Sequence, residues 1–163
     1  MASQIALHEA AHAVVAVYLG VSFIRVVKVG VYETDKATGK TLYLPPGLTN
    51  ATGPAPQMRI CALAGCMADV IDGTEPWARS VLPGDSTYVI VRRLLGKRYG
   101  LDLKCYHENQ PVLSENIEDA DLALAQEYVN LLMPKIVEVG ELLDCSIQLS
   151  HRQVKEICNF QSS

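Results

Sequence analysis

The pattern of apolar and polar residues divides the first fifty residues into a helix and a hairpin. Residues 4–19 are mostly small or apolar, Ser3 is available as an N-cap, and Gly20 stands where a helix should end. From Ser22 to Tyr32 the apolar residues are β-branched or aromatic, which predicts a strand. A polar loop and a second extended run at 41–44 complete the predicted hairpin.

Helical periodicity then dominates, interrupted by loops that are rich in proline and glycine. Two helices are predicted, one at about 57–71 that ends at Gly73 and one at about 85–99. Beyond the second of them, Cys105 and His107 are expected to lie in a loop.

The remaining part of the chain is predicted to be helical as well. Ser114 has the character of an N-cap for a long helix, and Pro134 should start or kink a further one. Ser150 with Gln153 matches a capping box for the last helix. Because no repeat or domain boundary is visible, the pattern predicts one α+β domain over residues 1–163, mainly helical, with a small sheet near its N-terminus.

Composition and charge narrow the class of protein. Hydrophobic residues make up 49% and charged residues 20% of the chain, which is typical of a globular protein. A net charge of −4 without a basic stripe predicts no nucleic-acid partner. The longest apolar run is too short and too interrupted to cross a bilayer, and no signal peptide is visible, so a cytoplasmic protein without a membrane span is expected. The cysteines form no Cys-x-x-Cys pair, which predicts reduced thiols and no cysteine metal site.

The segment His8-Glu9-Ala10-Ala11-His12 carries the candidate chemistry. Residues four apart share one face of a helix, so both imidazoles can reach one metal ion. Neutral histidines suit zinc, and Glu9 would project beside the metal, where it can take a proton from water. A shuffled chain of this composition would contain the pattern roughly once in two hundred cases. The competing interpretation is a helix whose histidines are only packed or hydrogen-bonded, but these polar groups on a mostly apolar helix need partners, which zinc supplies.

A catalytic zinc ion normally takes three protein ligands, so a third must come from elsewhere in the chain. The extended motif with a third histidine fails, because Val15 and Tyr18 occupy its glycine and histidine positions. Glu33 falls at the end of a predicted strand, which makes it an awkward ligand. The remaining candidates are Asp69, Asp72, Glu75 and Asp85.

Two segments carry a resemblance to a known family. Residues 6–16, Ala-Leu-His-Glu-Ala-Ala-His-Ala-Val-Val-Ala, resemble the active-site helix of the FtsH-type zinc proteases. Residues 63–69, Leu-Ala-Gly-Cys-Met-Ala-Asp, are similar to the family's Leu-Gly-Gly-Arg-Ala-Ala-Glu helix. Gly84-Asp85 stands where the family has its third ligand. The likeness extends from residue 4 to about residue 133, and only the first motif is specific.

The chain departs from the family pattern at three places. Ala11 replaces the usual glycine of the first motif, and Cys66 replaces the arginine of the second. Residues 80–83, Ser-Val-Leu-Pro, replace the threonine- and glycine-rich segment before the aspartate. None of these departures alters the two histidines or the glutamate of the first motif.

The resemblance implies a zincin-like peptidase domain in which His8, His12 and Asp85 bind zinc. Glu9 would then be the general base. Asp69, in the middle of an apolar helical stretch, is either an outer partner of a histidine, which we favour, or the third ligand in place of Asp85. Asp85 has an alternative role as the N-cap of the helix that follows it. Since no Gly-rich phosphate-binding loop occurs, the expected activity is ATP-independent hydrolysis of flexible or unfolded peptides. The alternative is a non-catalytic metal-binding interaction module that keeps the peptidase fold, although such a module has no need of Glu9.

Overall fold

The computed structural model describes residues 2–28, 32–34, 41–43, 47–73, 86–111 and 116–160 of the chain. These residues are mainly helical and include a small antiparallel sheet, which confirms an α+β architecture at this level. The helices are α1 (Gln4–Leu19), α2 (Ala55–Asp72), α3 (Thr87–Lys97), α4 (Gly100–Glu108), α5 (Asp119–Ser146) and α6 (His151–Cys158). The strands are β1 (Arg25–Val27), β2 (Tyr32–Thr34), β3 (Thr41–Tyr43), β4 (Gly47–Thr49) and β5 (Gln148–Ser150).

Helix α1 packs against both α2 and α5 and is buried along most of its length. Every residue from Ala6 to Ala16 is buried, as expected for a helix that is apolar on most sides. Both predicted caps are confirmed: the Ser3 hydroxyl accepts the N–H of Ala6 at 3.2 Å, and Gly20 follows the helix with a φ of 76°. The burial of α1 carries the histidine motif into the interior of the molecule.

Helix α2 begins at Ala55 and ends, as predicted, before Gly73, which has a φ of 71°. Pro54 is its N-cap and Pro56 lies in the first turn, where the missing N–H of proline breaks no helical hydrogen bond. Its residues 60–69 are all buried, and the helix packs against α1. The packing of α2 on α1 places its backbone and side chains next to the histidine motif.

The loop predicted after the third helix is wrong, because Cys105 and His107 lie in helix α4. Helix α3 ends at Lys97 and α4 begins at Gly100. No side-chain hydrogen bond caps the start of α4 at Tyr99, so the sequence has no conventional start signal there. Helix α4 packs against α2 and therefore reaches the same region of the molecule as the motif on α1.

Helix α5 runs through Pro134, where a kink or a new helix was predicted. Leu132 and Ile136, on either side of the proline, are buried, and the helix packs along α1, which offsets the hydrogen bond lost at the proline. The predicted cap Ser114 lies outside the described residues. None of the described helices combines the length and the apolar character needed to cross a membrane.

The three-stranded sheet combines strands from both ends of the chain. Strand β1 pairs antiparallel with β4 on one side and with β5 on the other. The strand predicted from Ser22 to Tyr32 contains β1 and overlaps β2 only at Tyr32, and β2 pairs with β3 in a separate two-stranded sheet. Strand β5 leads into α6, and the predicted capping box of Ser150 and Gln153 is confirmed.

Candidate metal centre

His8, Glu9 and His12 are buried together on helix α1. Their exposed fractions are 6%, 4% and 6%. A buried polar group without a hydrogen-bond partner costs roughly 1–3 kcal/mol, so each of these side chains should have partners on the helices packed against α1.

Helix α2 holds each histidine through its Nδ1 atom. His8 Nδ1 lies 2.6 Å from Asp69 Oδ2, and His12 Nδ1 lies 2.6 Å from the carbonyl oxygen of Cys61. Because a carbonyl oxygen can only accept a hydrogen bond, the hydrogen of the His12 bond is assigned to Nδ1. An ionised Asp69 carboxylate also only accepts, so the hydrogen of the His8 bond is likewise assigned to Nδ1. In a neutral imidazole of this tautomer, Nε2 carries a lone pair. Both rings therefore have the tautomer that can bind a metal through Nε2.

The two Nε2 atoms converge on a carboxylate oxygen from helix α4. His8 Nε2 and His12 Nε2 are 3.2 Å apart, and Asp102 Oδ2 lies 2.9 Å from the first and 3.2 Å from the second. Three lone-pair atoms at these distances repel each other unless a positive charge lies among them. His8, His12 and Asp102 thus form a group that could hold a metal ion.

The spacing of these three atoms fits a tetrahedral zinc ion. Ligand atoms at about 2.0–2.1 Å from a tetrahedral zinc are about 3.3 Å from one another. The observed separations of 2.9, 3.2 and 3.2 Å are close to that edge length. Gly65 of α2 leaves room for an ion, since a Cβ there would lie 2.5 Å from His12 Nε2 and 2.6 Å from His8 Nε2. Two imidazoles with one carboxylate are also a known catalytic zinc set that leaves a fourth position open.

Without a cation, the two histidines retain protons strongly, while Asp102 stays ionised. Burial would lower the pKa of His8, but hydrogen bonds with Asp102 and Asp69 raise that pKa to about 10. Burial opposes charge on His12 as well, yet the negative charge of Asp102 and the hydrogen bond with it raise the pKa of His12. Burial alone would raise the pKa of Asp102, but the two histidines hold it well below its usual range. Protons and a metal cation would therefore compete for the same Nε2 atoms.

The Glu9 carboxylate lies in the same buried region with one oxygen unused. Its Oε2 atom has no hydrogen-bond partner among the described residues. Burial raises the pKa of Glu9, while positive charge on His12 and His8 opposes that shift. A Cβ at Gly47 would lie 3.5 Å from Glu9 Oε2, so strand β4 passes close to the carboxylate. A carboxylate in this environment is suited to accept a proton.

Two of the three predicted metal ligands, His8 and His12, come together in the structure. Asp85 lies outside the described residues, so its role as a ligand stays a prediction. The N-cap of helix α3, which was the alternative role of Asp85, is Ser86, whose hydroxyl accepts the N–H of Val89 at 3.3 Å. Asp69 is hydrogen-bonded to Nδ1 of His8, the ring nitrogen that does not face His12 and Asp102, and this is the role that the sequence analysis favoured for it.

Asp102 is the functional candidate that the sequence reasoning missed. It lies in the first turn of α4, within the segment that was predicted to be a loop. Even a correct helix prediction would not have indicated a metal ligand, because an aspartate in the first turn of a helix is commonly explained by its interaction with the helix dipole. Only the packing of α4 beside α1 reveals its place next to the histidines.

Cavities flank the three side chains on two sides and share Asp102 as a lining residue. One, of about 380 Å³, is lined by His8 and Glu9 and by the apolar side chains of Ile5 and Leu101. The other, of about 160 Å³, lies on the side of His12 and is lined partly by residues of α2 and β4. An extended ligand could therefore approach His8, His12 and Asp102 from either side.

Comparisons with known proteins do not indicate the chemistry of this centre, so it must be inferred from the residues themselves. No protein-family model matches the chain, and no curated protein matches it significantly. The likeness to the FtsH-type proteases therefore depends on the two segments that carry it.

Proposed function

We propose that this protein is a zinc-dependent peptidase in which His8, His12 and Asp102 hold the metal. The observation that carries the proposal is the convergence of three lone-pair atoms within 3.2 Å of one another. Neutral histidines of this tautomer that were only packed in a core would direct Nε2 at a hydrogen-bond donor. Here both Nδ1 atoms are already engaged by acceptors, and both Nε2 atoms meet another acceptor.

Glu9 is the general base of the proposed reaction. When bound, zinc makes a water molecule acidic enough to lose a proton near neutral pH and polarises the carbonyl group of the scissile bond. Glu9 Oε2, which has no hydrogen-bond partner among the described residues, accepts that proton and later returns it to the leaving amine. Burial, which raises the pKa of Glu9, favours this exchange of protons near neutral pH.

Flexible or unfolded peptides are the proposed substrates. The larger cavity, beside Glu9, has Ile5 and Leu101 on its walls, and these two apolar side chains are 43% and 66% exposed. Such walls suit the side chains of an extended peptide, since burial of apolar surface contributes about 25 cal/mol per Å². A cavity of about 380 Å³ has room for a short extended segment and not for a folded domain.

The replacement of Glu9 by glutamine separates catalysis from metal binding. Because Glu9 is not a ligand in this proposal, Glu9→Gln should keep zinc occupancy and reduce hydrolysis of an unstructured casein by about 10²–10⁴-fold. The matched control is Glu108→Gln, which changes an exposed glutamate of α4 that pairs with Lys104. Undiminished hydrolysis in the Glu9 variant would show that the activity belongs to another site. A wild-type protein that binds zinc without hydrolysing any peptide would instead favour the interaction module.

A further inference from the structure

We infer that Tyr99 is a positioning residue that fixes the imidazole of His8 in the orientation needed to bind the metal. The inference rests on the metal centre of the proposed function. Tyr99 is the residue before helix α4, and it lines the larger cavity together with His8 and Asp69.

Tyr99 acts on His8 by two routes. Its ring stacks on the imidazole, with centroids 4.5 Å apart and planes inclined by 28°. Its hydroxyl donates a hydrogen bond of 2.9 Å to Asp69 Oδ2. The same oxygen lies 2.6 Å from His8 Nδ1. Tyr99 therefore contacts the face of the His8 imidazole and also hydrogen-bonds to the Asp69 carboxylate that holds His8 Nδ1.

The two histidines differ in the support that they need. His12 Nδ1 donates to a backbone carbonyl of α2, which cannot turn independently of the helix. His8 Nδ1 instead donates to the side chain of Asp69, which can rotate about its own bonds. The hydroxyl and ring of Tyr99 restrict that rotation, so they supply for His8 what the helix backbone supplies for His12.

The first test is cobalt(II) binding, followed by visible absorption, whose bands report the geometry around the metal. Tyr99→Phe keeps the stacked ring and removes only the hydroxyl. It should weaken cobalt binding about tenfold, the lower end of the loss typical for outer partners of a metal ligand. It should also change the positions or intensities of the cobalt bands.

Tyr106→Phe, in helix α4 itself, is the matched control. Tyr106 is buried, and its hydroxyl donates to Asp121 Oδ2 at 2.6 Å. Both variants lose a tyrosine–aspartate hydrogen bond, but only Tyr99→Phe should alter the cobalt spectrum. Equal spectra for wild type and Tyr99→Phe, or equal changes in both variants, would overturn the inference.

A double-mutant cycle tests the route through Asp69. If the hydroxyl acts by holding that carboxylate, Tyr99→Phe should have almost no further effect on cobalt affinity in an Asp69→Ala background, which has no acceptor for the hydroxyl. Additive losses would overturn this route. A wild-type chain that binds no cobalt would contradict the proposed metal centre itself, whereas normal binding that Tyr99→Phe leaves unchanged contradicts only the role of Tyr99.

Discussion

At the scale of single residues, the protons on His8 and His12 are linked to any metal between them. In the metal-free protein, hydrogen bonds with two carboxylates raise the pKa of His8 to about 10 against the effect of burial. An imidazole that holds a proton on Nε2 has no lone pair for a metal. Metal binding must therefore expel that proton wherever the pH lies below the raised pKa.

Zinc affinity should consequently rise with pH. Between about pH 6 and pH 8, the apparent association constant should increase about tenfold per pH unit for each proton displaced. The rise should continue towards about pH 10, where His8 loses its proton without the metal. Competition with a chelator of known pH dependence measures this directly. An affinity that is flat between about pH 6 and pH 8 would mean that no histidine proton is displaced.

Asp102 is tested by the removal of one carboxylate at a time. Loss of an outer partner typically weakens zinc about 10–100-fold, and loss of a direct ligand weakens it more. Asp102→Ala should therefore lose zinc most completely, and Asp69→Ala should retain weak binding. Asp85→Ala is the decisive comparison, because the family resemblance assigns the third ligand to that residue. Loss of zinc in Asp85→Ala with normal binding in Asp102→Ala would show that the resemblance identified the ligand and the observed cluster did not.

At the scale of elements, the close crossing of α1 and α2 depends on a glycine. Gly65 lies where any side chain would collide with the histidines, since its Cβ would also be only 2.8 Å from His8 Cδ2. Ordinary carbon atoms do not approach so closely, so either the ring or the helix would have to move. The same close crossing that packs the core therefore brings α2 against the proposed metal site.

Gly65→Ala should remove zinc binding, because its methyl group would occupy the space in front of both Nε2 atoms. Overpacking of this kind costs typically about 1–3 kcal/mol of stability. Gly96→Ala is the matched control, because Gly96 lies in α3 at a position where an added methyl group would meet only open space. That change should leave zinc binding intact and stabilise the protein by up to about 1 kcal/mol. Calorimetry and zinc titration of both variants would distinguish them, and full zinc binding by Gly65→Ala would refute the assigned geometry.

Local signals explain which elements could be predicted. Helices α1, α2 and α6 have a cap or a terminal glycine that is visible in the sequence, and their existence was predicted. Helix α4 has no side-chain cap at Tyr99 and was missed, and Asp102 was missed with it. Helix α5 continues through Pro134 although proline locally predicts a break, because the packing of α5 on α1 outweighs the hydrogen bond lost there.

At the scale of the whole molecule, the proposed metal-binding group joins segments that are far apart in the sequence. Asp102 is 94 residues from His8 and 90 residues from His12. The start of α1 is tied to the end of α5, because the Ser3 hydroxyl donates to Asp144 Oδ1 at 2.6 Å. Pairings at such separations have no local periodicity, which is why the motif on α1 was predictable while its third partner and the pairing of β1 with β5 were not.

The zinc content of the purified chain tests the central claim most directly. After reconstitution and removal of loosely bound metal, elemental analysis should find close to one zinc per wild-type chain. The variant in which His8 and His12 are both replaced by alanine should contain almost none while remaining folded by circular dichroism. A wild-type chain that retains no zinc, or a double variant that retains as much as wild type, would contradict the assignment of these histidines to a zinc site.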